Sequence, residues 1–308
     1  MKIHTVVTIA SILLLSSCSN KLISSNASKS DILCPVDSKV PAKLWETSGF
    51  DGPESVVYDH RRKKYYVSNI AGNPTDKDKN GWISKLNSDG SVAKKKWINS
   101  SKIHAPKGMR IKRNHLWFSD IDQVVSVSIP LRRIVRRISV ADSKFLNDVD
   151  YSIKTGSVYV TDMFTDKIHI INKSSSVATF LNSKDLENPN GIAIRGNEMI
   201  ISSWGPGIKD DFSTEKSGKI LSINLKTKKI SNWTNLRIGN LDGVEFIDTQ
   251  TVIVSDWKAG KIFKVKKSGT CTTLLSGFKG SADLTYIPSK NIIVIPLMLE
   301  NKVVAYKL

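Results

Sequence analysis

The sequence predicts an all-β fold, a six-bladed β-propeller closed by its own N-terminal strand, on three observations. A three-part phrase recurs six times, its copies begin 40 to 53 residues apart, and the last copy stops one strand short while a matching strand stands unclaimed near the N-terminus. Repeats of this length belong to propeller blades rather than to short helical repeats. No sustained i, i+3, i+4, i+7 apolar pattern follows residue 20, which disfavours helical architectures.

The phrase opens at Glu54-Ser55-Val56, Lys107-Gly108-Met109, Asn147-Asp148-Val149, Asn190-Gly191-Ile192, Asp242-Gly243-Val244 and Ala282-Asp283-Leu284. Each opener leads to a β-branched or aromatic run such as Leu116-Trp117-Phe118-Ser119 or Val252-Ile253-Val254-Ser255, bounded by turn residues, which is strand material. A third column alternates apolar and polar residues, the pattern of a strand with one covered face. A fourth, more polar column follows in the first five copies and reads as the outer strand. The sixth copy lacks it, and Ala42-Lys43-Leu44-Trp45-Glu46-Thr47 precedes the first opener as every outer strand precedes the next. Pairing that strand with the last blade leaves no unpartnered edge.

The repeat fills residues 42–308 without a break, so it reads as one domain, preceded by residues 1–17 as a lipoprotein-type signal peptide and 18–41 as a flexible tether. In the 308-residue chain, 40% hydrophobic and 24% charged content suit a globular protein with a full core. The net charge of +18 is spread over outer strands and loops, with clusters at Lys94-Lys95-Lys96 and around Arg132 to Arg137. With no nucleic-acid motif or interleaved aromatic platform beside it, this charge reads as a solvated basic rim, and nucleic acid is not an expected partner.

Lys2, an apolar core over residues 6–15 and then small residues form an export signal too short to span a bilayer. Leu15-Ser16-Ser17-Cys18 resembles the bacterial lipobox, which makes Cys18 the lipid-attachment residue; ordinary secretory cleavage nearby is the alternative. Ser19 carries no aspartate-type retention signal, so the expected address is the periplasm, as an outer-membrane lipoprotein held to the membrane by its lipid. Cys34 and Cys271 remain, an even pair in an exported chain. Both fall on one side of the rim, and they are predicted to form a disulfide.

In a propeller the inner strands border the central channel, so the six openers converge at one mouth. Asn69, Asp120, Asp162, Trp204 and the Asp256-Trp257 pair, at the returning ends of the second strands, are expected to form the next ring. Two carboxylates and two amides at one mouth make an all-oxygen site for one hard divalent cation, Ca²⁺ first, with Mn²⁺, Mg²⁺ or Zn²⁺ as alternatives. Asn-Gly and Asp-Gly are also ordinary turn dipeptides. A turn, however, would not require Glu at the first copy.

Gly52-Pro53-Glu54-Ser55, Phe145-Leu146-Asn147-Asp148, Asn188-Pro189-Asn190-Gly191 and Leu241-Asp242-Gly243 resemble, in order, motifs of the gluconolactonase and senescence-marker-protein (regucalcin-like) family. The resemblance implies Glu54, Asn190 and Asp242 as metal ligands, Asn147 as a substrate contact, and hydrolysis of lactones. Phe145 stands where sugar-lactonase members carry an arginine, and Val149 where they carry a glycine. With Phe145, Trp204 and Trp257 at the mouth, a less hydroxylated lactone or ester is the expected small-molecule substrate. Lys107 adds a positive charge suited to a carboxylate or phosphate. Asp242 is the expected general base, with Asp148, Asp120 and Asp162 as alternatives that as repeated strand-end residues also suit turn capping, and with Asn147 assisting catalysis by positioning substrate. The rival reading is a non-catalytic propeller that binds a ligand or protein around a structural metal. Asp76-Lys77-Asp78-Lys79-Asn80-Gly81 matches half of an EF-hand loop, but position twelve is Asn87, so a polar turn is expected there. That loop and residues 205–217 are the longest at the mouth and are candidate lids. The sequence leaves the oligomeric state open.

Overall fold

The computed structural model describes residues 34–308. They form six four-stranded antiparallel sheets arranged as the blades of a propeller. Five blades run in simple chain order from channel to rim; blade 1, for example, is Pro53–Asp59, Lys64–Asn69, Trp82–Asn87 and Val92–Asn99. Blade 6 takes Thr285–Ile287, Ile292–Leu297 and Lys302–Lys307 from the end of the chain and Ala42–Ser48 as its outer strand. The closing strands are antiparallel, with Lys43 opposite Tyr306 and Ser48 opposite Lys302.

Burial explains why the strand columns differ in the sequence. The inner strand Pro53–Asp59 is buried throughout, whereas Val92–Asn99 and Arg133–Ser139 at the rim are mostly exposed. The apolar side chains gather between blades. Val57, Tyr66 and Ile83 of blade 1 meet Met109, Phe118 and Val125 of blade 2, and comparable clusters fill the other five seams. A second strand covered on both faces has no wet side to mark, so Val252-Ile253-Val254 reads as a continuous apolar run rather than an alternation.

Cys34 and Cys271 are joined by a disulfide across 237 residues of sequence. Beside it Val36 bridges Thr273 in parallel, Thr273 N–H donates to the Pro35 carbonyl at 2.9 Å, and Asp37 N–H donates to the Thr273 carbonyl at 2.9 Å. Residues 34–37, read from sequence as part of a flexible tether, thus lie against the outer strand of blade 5. Residues 1–33, with the signal segment and Cys18, lie outside the described residues. No helix among the described residues is long and apolar enough to cross a membrane.

Candidate functional site

Five of the six openers, all but Ala282, sit in a β-bulge, which explains how their side chains are aimed at the channel. In blade 3 the register passes from Leu146 opposite Asp162 to Val149 opposite Val160, so Asn147 and Asp148 share Thr161. Blades 1, 2, 4 and 5 repeat this at Glu54-Ser55, Lys107-Gly108, Asn190-Gly191 and Asp242-Gly243. The extra residue breaks the two-residue alternation and turns a side chain that would otherwise pack between blades.

The residue facing each bulge is a hydroxyl: Ser68, Ser119, Thr161, Ser202 or Ser255. The bulge N–H groups of Ser55, Asp148 and Gly243 donate to Ser68, Thr161 and Ser255 at 2.8, 3.0 and 2.9 Å. The same column ties neighbouring blades. Ser119 donates to the Asn147 carbonyl, Thr161 to Asn190 at 2.6 Å, Ser202 to Asp242, and Ser255 to Ala282 at 2.9 Å. Gly191 completes the fit, since a Cβ there would stand 2.2 Å from the Asp242 carbonyl oxygen and 2.6 Å from Ser202 Oγ. The backbone behind Asn147, Asn190 and Asp242 is therefore fixed before any ligand arrives.

Five openers line one cavity of about 270 Å³: Glu54, Lys107, Asn147, Asn190 and Asp242. All five are nearly inaccessible to solvent, at 1–5% exposure. Glu54 Oε2, Asn147 Oδ1, Asn190 Oδ1 and Asp242 Oδ1 are buried without a hydrogen-bond partner. Buried polar atoms are nearly always satisfied, so four orphaned acceptors in one wall call for a partner from outside the chain. The amide nitrogens have partners: Asn190 Nδ2 donates to the Leu241 carbonyl at 3.2 Å, and Asn147 Nδ2 faces Met163 Sδ at 4.0 Å. Two carboxylates with two amide oxygens fit a hard divalent cation. Among the described residues no group of three or more His, Cys, Asp or Glu is arranged to hold a metal, so a site here depends on its amides.

The electrostatics carry the same demand. Burial pushes the Glu54 carboxyl well above the usual range, and the charges of Asp242 and Asp283 add to it. Asp242 is raised by burial and then by Asp283, against hydrogen bonding from Asn190. Lys107 is lowered to about 8 by burial, with Glu54 and Asp120 opposing. Deeper in the channel Arg110 pairs with Asp150 at 3.2 Å and Glu245 at 2.6 Å. Asp148 accepts from the N–H groups of Ile192 and Val149 at 2.9 and 2.7 Å and belongs to the channel wall rather than to the cavity.

The second ring differs from the sequence expectation. Asn69, Asp120, Asp162 and Asp256 do not line the cavity. Asp120 accepts from Ala105 N–H at 2.8 Å, Asp162 from Phe145 N–H at 2.9 Å, Asp256 from Asn240 N–H at 3.3 Å, and Asn69 Oδ1 from Asp51 N–H at 3.1 Å. Each clasps the chain two or three residues before an opener, so these groups set loop entry and are spent as caps. In every blade but the second, the residue after the second strand reaches the cavity instead: Ile70, Met163, Trp204, Trp257 and Met298, whereas Ile121 packs against Ile70 and Ala105. Of these only the tryptophans were singled out from sequence, although the signal was present as an apolar residue after every second strand.

Phe145, the predicted substrate contact, stacks on Phe164 with centroids 4.5 Å apart and faces Phe212 at 6.3 Å. Trp204 lies 5.9 Å from Trp257 and donates through Nε1 to the Phe212 carbonyl at 2.9 Å. Phe212 thus brings the 205–217 loop over the cavity as an aromatic wall. The half EF-hand is a closed polar turn, with Asn80 N–H and Nδ2 bonded to the two Asp78 carboxylate oxygens at 3.0 and 2.9 Å and Lys77 paired with Asp122. Larger grooves of about 480 and 630 Å³ lie on the rim, among residues such as Trp97, Arg133 and Trp117. Neither gathers carboxylates and amides as the channel mouth does.

Solved structures share this architecture. A streptogramin B lyase superposes with a TM-score of 0.59 at 11% identity, covering 86% of this chain and 97% of that one. Virginiamycin B lyase from Staphylococcus aureus matches in selenomethionine form with a TM-score of 0.59 at 14% identity, and as a catalytically inactive variant with quinupristin with a TM-score of 0.58 at 12%. Both cover 86% of this chain and 98% of their own. The shared feature is the six-bladed fold. No family model and no curated protein sequence matches the chain.

Proposed function

We propose that this protein is an exported, lipid-anchored, metal-dependent hydrolase of a lactone or related ester. The observation that carries the reading is the set of four partnerless buried oxygens in one cavity wall, on Glu54, Asn147, Asn190 and Asp242. These are the residues picked out by the resemblance to gluconolactonase-like propellers. Glu54, Asn190 and Asp242 would hold one divalent cation, with Ca²⁺ the best match to the donor set. A cation bound there supplies Lewis-acid polarisation of an ester carbonyl.

The chain's own residues account for the remaining work. Asn147 presents an amide oxygen to substrate or water from a bulge fixed by Ser119 and Thr161. Asp242 accepts the proton of the attacking water, because it combines a free carboxylate oxygen with a position on the cavity floor. The aromatic wall of Phe145, Phe212, Trp204 and Trp257 excludes water and takes the apolar body of the substrate. The neighbouring propellers named as lyases support an enzyme on this fold and give the reading a competitor, ester cleavage by elimination, with Lys107 as a second basic group near the floor. A disulfide between Cys34 and Cys271 favours an oxidising compartment.

The deciding experiment is a panel of lactones and aryl esters assayed with chelator and with added Ca²⁺, Mn²⁺, Mg²⁺ or Zn²⁺. Products are identified by mass, so that hydrolysis, which adds a water, is separated from elimination, which does not. Metal-stimulated turnover with addition of water supports the reading. A protein that binds no divalent cation and turns over nothing belongs to the non-catalytic binding class.

A further inference from the structure

Lys107 is 1% exposed, which is rare for a lysine without a paired acid. Its Nζ donates to the Ala105 carbonyl at 3.1 Å and lies 4.5 Å above the centre of the Phe145 ring. Among the described residues it forms no ion pair. An ammonium has three donors, so two N–H groups are left without a protein acceptor beside the cavity. The nearest interacting acids are committed elsewhere: Asp120 accepts from Ala105 N–H and from Gln123, and Glu54 belongs to the oxygen cluster. The other lysine on the cavity wall, Lys258, is exposed at the lip.

We propose that Lys107 is the seat for an anionic group on the substrate, which makes the substrate a carboxylate-bearing ester or lactone with an apolar, aryl-sized body. The proposal rests on the metal-site reading and extends it to substrate class. A dication and Lys107 together carry three positive charges against the two carboxylates of Glu54 and Asp242, so the occupied floor keeps one positive charge that a monoanion neutralises. Phe145 fixes the amine from one side and forms the aromatic wall on the other, so the charged end and the apolar body of one ligand are received by adjoining groups. With Lys107 beside Phe145 and an otherwise aromatic wall, this site offers charge plus apolar surface rather than a row of hydroxyl-binding groups.

The test uses the full chain and two unreactive probes of similar shape, phenylacetate and phenylacetamide, titrated by calorimetry with Ca²⁺ and again with chelator. A charge-assisted hydrogen bond to buried Lys107 makes phenylacetate bind roughly ten- to hundredfold more tightly than phenylacetamide in Ca²⁺. Lys107→Met abolishes that difference, and Lys107→Arg restores part of it. Equal affinities in the wild type overturn the proposal, and that comparison needs no variant. A preference that survives Lys107→Met also overturns it, because the cation alone then holds the anion. Direct Ca²⁺ titration of the same samples reports separately on the metal. Silence there sinks the metal-site reading and with it the charge balance of the floor, whereas bound Ca²⁺ with equal affinities for the two probes overturns the Lys107 proposal alone.

Discussion

Glu54→Gln should make the metal-free protein more stable while removing its response to calcium. Burial, then Asp242 and Asp283, lift the Glu54 pKa well above 4.5. A carboxyl raised in this way holds a proton that the unfolded chain has already lost, so stability falls as pH rises from 4.5 toward the folded value. The slope is about 1.4 kcal/mol per pH unit for as long as the folded group keeps a proton that the unfolded chain has lost. Gln carries no such penalty, and loss of the Glu54 charge also relieves Asp242 and Asp148, which acts in the same direction. For a domain of this size each kcal/mol moves the melting temperature by roughly 2–4 °C, so the gap should widen as pH rises, in favour of the variant. Calcium at a hundredfold excess over its dissociation constant returns about 2.7 kcal/mol to the wild type and much less to the variant. Scanning calorimetry at pH 5, 6 and 7, in chelator and then in Ca²⁺, measures both effects. A gap that stays constant with pH in chelator would refute the account of Glu54 as a buried, uncompensated ligand.

Five further outcomes are expected. Asp242→Asn keeps an oxygen ligand but loses the base, so ester hydrolysis at saturating Ca²⁺ should drop by ~10²–10⁴; Asn147→Ala should instead raise KM with calcium still bound by calorimetry. Replacing Cys34 and Cys271 by serine opens a loop of 237 residues and should cost about 5 kcal/mol in a urea melt, with two thiols blocked from alkylation in the wild type. Gly191→Ala drives a Cβ against the Asp242 carbonyl and Ser202 Oγ, and should weaken Ca²⁺ binding at least tenfold, by a shifted Asp242 rather than a lost ligand. Cys18→Ser should move the exported protein from the detergent phase to the aqueous phase in a partition assay; unchanged partitioning refutes lipidation.

Blade count and closure were legible because the repeat is written in residue types. An opener, a buried strand and a polar rim strand recur with enough regularity to reveal the strand missing from the sixth copy. The convergence of Glu54, Asn147, Asn190 and Asp242 followed from register alone. The fate of Asp120, Asp162 and Asp256 did not. Whether a carboxylate at a strand end faces a cavity or caps the preceding loop depends on the bulge opposite, where one inserted residue reverses the facing of everything after it. The hydroxyls at Ser119, Thr161, Ser202 and Ser255 were visible as a column, but their carbonyl partners belong to the next blade, 27 to 40 residues away. Likewise, nothing in the composition of residues 205–217 reveals that Phe212 folds back to meet Phe145 edge-on.

The pairing of Ala42–Ser48 with Lys302–Lys307 also sets the order of events in the life of the chain. Synthesis is directional, so the first strand to emerge must wait for the last before its ladder can form. The bond from Cys34 to Cys271 is subject to the same delay. Contacts spanning nearly the whole sequence are slow to form, because loop closure comes before any of their reward. Until residue 307 arrives, the seams beside blade 6 are open and a strand edge is bare. Closure of the ring therefore acts as a test of completeness: a truncated chain keeps an open seam on which proteases can act.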